Sequence, residues 1–301
     1  MSATNPHDSL FKSTFQQLEI ARTYLQHFLP PELVAALDLS QLSLDPDSYI
    51  SPELEAYYSD IVYRCKAADA PLTLALLFEH KSYPERFPHI QLLRYMLGIW
   101  DRQLNNKEPL SLVVPMIVYH GKKNWQKKPF ETYFPGLPEV LRPFLPAFDY
   151  QLTDLSTWSD EALFEVEAGL LAKTFFLFKH YQEERFLMAS LGRVFKDLDT
   201  YMVDEKSKNL ITSFVVYLWK TSSFSPEQIR KIMEQLPPKT KEIGQTTYDW
   251  IREGGKEEGA LEKEIQIIMN SLKMGMPIKQ IAEITGLSVE QLKARIEKYS
   301  L

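Results

Sequence analysis

Leu72-Thr73-Leu74-Ala75-Leu76-Leu77-Phe78-Glu79-His80-Lys81 is an apolar run that ends in an acid, an imidazole and an amine. It predicts a strong apolar strand. Side chains alternate along a strand, so Glu79 and Lys81 share one face and His80 points to the other. Upstream, Ser59 to Cys65 also alternates, with Asp60, Val62 and Arg64 opposite Ile61, Tyr63 and Cys65, and Ala67-Ala68-Asp69-Ala70 reads as the hairpin connection. Downstream, 88–104 predicts a helix with Ile90, Leu93, Leu97 and Trp100 on its apolar stripe. Leu110 to Tyr119 predicts a second buried strand, in which Pro115 marks a bulge or an unpaired side. Strand, helix, strand in this order implies a crossover between parallel neighbours. Phe148 to Leu155 adds one more strand, and the class is α/β with a small mixed sheet.

Around this centre the chain reads helical. Phe11, Phe15, Leu18, Ala21, Leu25 and Phe28 repeat at helical spacing before Leu29-Pro30-Pro31, and 38–59 reads as irregular. From Ser159, helices are expected over 160–182, 184–198, 206–221, 226–235 and 239–253. The expected organisation is therefore a core over 1–158, a helical region over 159–253, and a charged hinge with a tail over 254–301.

Composition narrows the function classes. The chain has 301 residues, a formal net charge of −6, 45% hydrophobic residues, 11 glycines and one cysteine. That apolar content fits a folded chain, and few glycines favour helices. One cysteine excludes a disulfide framework, and with no His-x-x-x-His pair among six histidines no zinc site is expected. No secretory signal or membrane span is read, which suits a cytoplasmic protein. Gly254-Gly255 and Gly259 follow no strand, so they predict a hinge rather than a nucleotide-binding loop, and no organic cofactor is expected.

The acids in the strands carry the chemistry. A carboxylate beside so much apolar surface costs several kcal/mol unless a cation or donors compensate it. If the two segments pair as a hairpin, Asp60 comes alongside Glu79, with the His80 carbonyl and the Lys81 ammonium close by. Two hard oxygen ligands, with the His80 carbonyl as a third, suit Mg²⁺ or Mn²⁺. Such an ion activates water and neutralises charge on a phosphate, while Lys81 orients the water and stabilises the developing charge. The alternative is a surface hairpin whose Glu79 and Lys81 form a solvated pair. On the next helix, Gln91 and Tyr95 lie one turn apart, with Arg94 and Arg102 near that face, as a phosphate-holding surface or as an ordinary polar helix face.

These residues resemble a known family. Glu55-Ala-Tyr-Tyr-Ser-Asp60-Ile-Val-Tyr-Arg, Leu76-Leu-Phe-Glu79-His-Lys81-Ser, Gln91-Leu-Leu-Arg94-Tyr95-Met, Val114-Pro-Met-Ile-Val-Tyr119-His-Gly and Asp8-Ser-Leu-Phe11-Lys12 are similar to segments of the Rpn family, recombination-promoting nucleases also described as YhgA-like putative transposases. The resemblance covers most of the chain, most strongly 8–155. It implies a PD-(D/E)XK nuclease fold, Mg²⁺-dependent DNA endonuclease activity, and a role in recA-independent recombination or horizontal gene transfer. Asp60 and Glu79 match the metal-binding acids, Lys81 the catalytic lysine, and Gln91 with Tyr95 a Gln-x-x-x-Tyr helix motif. Many relatives carry Gln where Lys81 stands, and Asp8 is a candidate extra acid. The residues fit hydrolysis, and nothing in them supports a strand-transfer step.

Two further segments bear on DNA. His120-Gly-Lys122-Lys123-Asn-Trp125-Gln-Lys127-Lys128 reads either as a loop along phosphates with Trp125 on sugar or base, or as a solvated loop with one anchoring aromatic. In the tail, 277–284 and a helix opened by Ser288-Val-Glu-Gln291 form a helix-turn-helix pattern. Its expected core is Ile278, Ile281, Ala282, Leu287, Val289, Leu292 and Ile296, with Gln291, Lys293 and Arg295 toward a groove. The tail serves either DNA contact or oligomerisation. The competing overall functions are a non-catalytic DNA-binding or regulatory protein and a helical oligomerising scaffold.

Overall fold

In the computed structural model the described residues are 5–45, 61–70, 72–166 and 168–299. The chain divides into two compact units, Met1–Ile243 and Gly244–Leu301.

The first unit is organised by a five-stranded sheet ordered β1 (Leu37–Leu44), β2 (Ile61–Ala67), β3 (Thr73–Lys81), β4 (Leu112–Tyr119) and β5 (Gln151–Asp154). β1, β2 and β3 are antiparallel, while β3, β4 and β5 are parallel. The helix α4 (Pro88–Asn105) supplies the connection from β3 to β4 that parallel neighbours require. β5 begins opposite Met116, so Pro115 stands just beyond the end of that pairing, on the unpaired side its missing N–H demands.

Strand alternation sorts the core into two faces. On one, Val62, Ala75, Leu77 and Ile117 meet Leu92, Tyr95, Met96 and Ile99 of α4. On the other, Tyr63 and Phe78 meet α1 (Pro6–Phe15), α2 (Leu18–Phe28), which the short α3 (Pro31–Ala35) follows, and a later helix, α6 (Leu170–His180). Ring centroids there lie 5.2 Å apart for Phe15 and Phe78, 5.5 Å for Tyr24 and Phe78, and 6.2 Å for Phe15 and Phe175. This face is a nearly continuous aromatic layer.

Several sequence expectations change. β1 replaces the irregular stretch expected from residue 38. Its pairing with β2 shifts register between Asp38 and Ser43, and this erases the period-two pattern. On α4 the buried side is His89, Leu92, Tyr95, Met96, Ile99 and Gln103, about one residue round from the predicted stripe, and Leu97 is exposed. Polar residues occupy that side because they find partners: Gln103 Nε2 donates to Ser111 Oγ (2.8 Å), and His89 Nδ1 lies 2.9 Å from Tyr133 Oη.

The helix expected over 160–182 is two, α5 (Asp160–Glu165) and α6 (Leu170–His180). After α7 (Glu184–Phe195), α8 (Glu205–Thr221) and α9 (Pro226–Gln235), the chain enters α10 (Pro238–Lys273). Gly254 and Gly255, expected outside any regular element, lie within its helical span. Among the described residues no helix is long and apolar enough to cross a membrane.

In the second unit, α11 (Ile278–Thr285) ends at Gly286, whose φ of +70° suits glycine, and α12 (Val289–Tyr299) follows. Ser288 and Gln291 exchange hydrogen bonds as a capping box. Ile281, Ala282 and Leu292 pack with Ile268, and Leu272 adds to the cluster, so the last turns of α10 supply a third wall that the two-helix reading lacked. Val289, expected in this core, is exposed. Arg295 does not point to an open groove, since its Nε lies 3.1 Å from Glu264 Oε1, and Gln291 is occupied as a cap.

Candidate active site

The apolar strand β3 emerges at its C-terminal end as Glu79-His80-Lys81, paired in register with Ile117, Val118 and Tyr119 of β4. Lys81 N–H and C=O groups are part of this frame, and its carbonyl accepts from His120 N–H at 2.9 Å. Three side chains here are therefore set by the sheet rather than by a loop.

Glu79 is 8% exposed. Lys81 Nζ lies 2.9 Å from its Oε1, and Gln91 Nε2 donates to the same oxygen at 3.4 Å. Gln91 Nε2 also donates to the Tyr95 hydroxyl at 2.8 Å, one turn further along α4. The structure thus unites Glu79, Lys81, Gln91 and Tyr95, as the sequence predicted. The ion pair is largely shielded, with both side chains close to one-tenth exposed, and not the solvated surface pair of the alternative reading.

Electrostatics defines what Lys81 does. Burial works against its ammonium, but the charge and hydrogen bond of Glu79 outweigh that, and Tyr83 and Glu85 add to the effect. Its pKa is raised above the ordinary lysine value, so it is a permanent cation and hydrogen-bond donor rather than a base. Asp60, the second expected acid, lies outside the described residues, next to Ile61, which pairs with Phe78. Among the described residues no group of three or more His, Cys, Asp or Glu side chains is arranged to hold a metal ion. The His80 side chain turns to the opposite face, as alternation requires.

That opposite face holds what sequence reasoning missed. His80 Nε2 lies 2.5 Å from Asp8 Oδ1 on α1, so Asp8 stands behind β3 with His80 and not beside Glu79. The His80 ring stacks with His120 at 5.8 Å, and His120 lies 5.0 Å from His7. His7 Nδ1 is 3.0 Å from the Tyr217 hydroxyl. Burial, with the neighbouring His80, lowers the pKa of His7 to about 4 and that of His120 well below its usual value. Residues 7, 80 and 120 lie too far apart in sequence for any spacing motif to link them.

The remaining predicted residues are placed elsewhere. Arg94 is exposed on α4. Arg102 Nη2 donates to the buried Asp45 (2.7 Å), which also binds Arg64 (3.1 Å), so Arg102 ties α4 to the sheet. Lys122 Nζ lies 3.6 Å from Glu183, and Lys127 Nζ lies 2.7 Å from Asp149. The Lys123 carbonyl accepts from Tyr119 Oη, and Lys128 is exposed. Trp125 is buried against Tyr119 (5.2 Å between rings), and its backbone N–H donates to Asp154 Oδ2 at 2.8 Å. It anchors the loop and presents no ring to a nucleic acid. Gly121 is required beneath it, since a Cβ there would overlap the Tyr119 ring.

A family model described as "Putative transposase, YhgA-like" matches residues 5–209. Among curated proteins, the chain is 26% identical to the recombination-promoting nuclease RpnA of Escherichia coli (strain K12) over 296 residues, 97% of each chain. It is also 26% identical to the inactive recombination-promoting nuclease-like protein RpnE of the same strain, covering 95% of this chain and 96% of RpnE. A shorter match, 33% identity over 121 residues and 40% of each chain, is to the recombination-promoting nuclease RpnC. No solved structure matches.

Proposed function

The chain belongs to the YhgA-like putative transposase family, and from that premise and the cluster at the end of β3 we propose that it is a metal-dependent DNA endonuclease acting in recombination. The observation that carries this reading is the shielded Glu79–Lys81 pair with Gln91 on the same carboxylate oxygen. Asp60 and Glu79, both hard oxygen donors, fit Mg²⁺ or Mn²⁺. When bound, such an ion lowers the pKa of a water and neutralises charge on a phosphate oxygen.

The chain's own groups do the rest. Lys81, held cationic by Glu79, donates a hydrogen bond to the attacking water and stabilises negative charge as the phosphorus becomes five-coordinate. Gln91 fixes the Glu79 carboxylate, and Tyr95 fixes Gln91, so the donor set is oriented before substrate arrives. The product is a cleaved phosphodiester, and no strand-transfer step is needed.

The equal identity to RpnA and to the inactive RpnE favours one second reading, a protein that binds DNA without cutting it. Nicking of supercoiled plasmid separates the two. The purified full chain should relax plasmid in Mg²⁺ and not in EDTA, and Asp60→Ala should not. Equal cutting by both proteins assigns the activity to a contaminant, and binding without cutting by the wild type selects the second reading.

A further inference from the structure

The connection from Lys81 into α4 begins a surface that the proposed chemistry leaves unused. Tyr83 and Phe87 in this connection are 61% and 39% exposed, and Phe134 and Phe144 on the segment before β5 are 44% and 81% exposed. Single exposed apolar residues are ordinary, but Phe87 and Phe134 belong to one ring cluster. Phe87 meets Tyr133 edge-on at 5.1 Å, the Tyr133 hydroxyl reaches His89 at 2.9 Å, and Phe130 meets Phe134 at 5.9 Å. Beside them opens a cavity of about 520 Å³ walled by His89, Phe130 and Phe148, with Lys127, Lys128 and Arg142 around it.

Cations accompany the rings throughout. The Arg86 guanidinium sits 4.9 Å over the Phe87 ring. Lys127 is held by Asp149 and by the Tyr150 carbonyl (2.6 Å), Arg142 pairs at the surface with Glu139 (2.8 Å), and Glu131 and Asp149 share the cavity wall with these cations. Lys128 adds an exposed positive charge. Aromatic faces interleaved with cations suit a ligand that alternates flat rings with phosphates. A duplex hides its rings by stacking, so the matching ligand is a strand whose bases are unstacked. The surface also adjoins the reactive groups, because Tyr83 and Glu85 lie within electrostatic range of Lys81.

We propose that the 82–87 connection and the 129–148 segment form a base-stacking platform that selects DNA with unpaired bases, with one base entering the cavity beside His89. This rests on the nuclease reading and names its substrate class. The test measures fluorescence anisotropy of full-length Glu79→Gln protein with a labelled oligo-dT and with a blunt duplex of equal length. The same two ligands are then measured with Phe87→Ala, Phe134→Ala and Phe144→Ala added together, and circular dichroism checks the fold.

Oligo-dT should bind more tightly than duplex, and the triple variant should lose at least about 10-fold on oligo-dT and less than about 2-fold on duplex. Equal losses on both ligands, or none, overturn the platform while plasmid nicking by the wild type leaves the nuclease reading standing. A dimer in sedimentation that the triple variant dissociates, with DNA affinity unchanged, also overturns it and makes the patch a self-association face. Absence of both DNA binding and nicking removes the nuclease reading as well.

Discussion

The last three residues of β3 face two different environments less than one strand width apart. Glu79 and Lys81 look toward α4, where a carboxylate, an ammonium, an amide and a phenol share hydrogen bonds. His80 looks toward α1, where histidine and aromatic rings stack around one acid, Asp8. Burial is similar on both sides, yet the pKa shifts run oppositely: Lys81 goes up and His7 and His120 go down. The difference is the partner. A charge that faces its counter-charge survives desolvation, and an imidazole among other imidazoles sheds its proton. One face holds a lysine in its charged form beside Glu79, and the other holds His7 and His120 in their neutral form among aromatic rings.

The largest test of this contrast is a paired substitution. Glu79→Gln should lower plasmid cleavage on the order of 10³-fold, the several kcal/mol that a metal ligand supplies. His80→Asn, one residue away on the packing face, should stay within a few-fold. Similar losses for both would erase the distinction between the faces. Lys81→Met comes next, with a loss on the order of 10²-fold in kcat at nearly constant KM, because in the proposed mechanism its charge acts on the transition state. A change confined to KM would make Lys81 a binding group.

Acid sharpens the comparison from the other side. His7 and His120 have lowered folded pKa values, so between pH 6.5 and about 4 the unfolded chain binds protons that the folded one does not. Stability is thus fully present above pH 6.5 and declines as pH falls toward 4. Asp8, whose pKa is lowered as His80 offsets its burial, loses its contribution in the same direction, at lower pH. Urea denaturation at pH 7 and pH 5 should differ by roughly 1 kcal/mol for His7, after allowing for its partial solvent access. His7→Gln should flatten that slope, and an unchanged slope would place the acid sensitivity elsewhere. The smallest effect is Tyr95→Phe, which removes one hydrogen bond to Gln91 and should cost about 0.5–1.5 kcal/mol, or up to about tenfold in cleavage.

The reactive face was legible in the sequence because it rests on short-range rules. An apolar run ending Glu-x-Lys fixes two side chains on one face of a strand, and Gln91 with Tyr95 fixes two on one face of a helix. The packing face rests on residues 7, 80 and 120, which only the tertiary fold unites. β1 escaped notice because its register shift buries Leu37 and Leu42, five residues apart, which matches neither a strand period nor a helix stripe. The α4 stripe was misplaced by counting apolar residues alone, since His89 and Gln103 are buried through partners on other elements. Sequence leaves two readings of Trp125 open, and the anchoring one holds because its ring packs on Tyr119 and Asp154, on β5, accepts from its backbone N–H. Gly254 and Gly255 read as outside any regular element, yet they lie within the helical span of α10.

The same register shift in β1 has a consequence for how copies of this chain coexist. Leu74–Phe78 is the kind of segment that stacks into fibrils when a long, straight border is offered to it, while Val113–Val118 beside it is apolar but interrupted by Pro115. Here both apolar strands lie inside the sheet, one rim is broken between Asp38 and Ser43, and the other, β5, is only four residues long. Neither rim provides a continuous ladder for a foreign strand to extend. Straightening β1 by deleting the three extra residues between Asp38 and Ser43 would build that template, and turbidity on storage would report it.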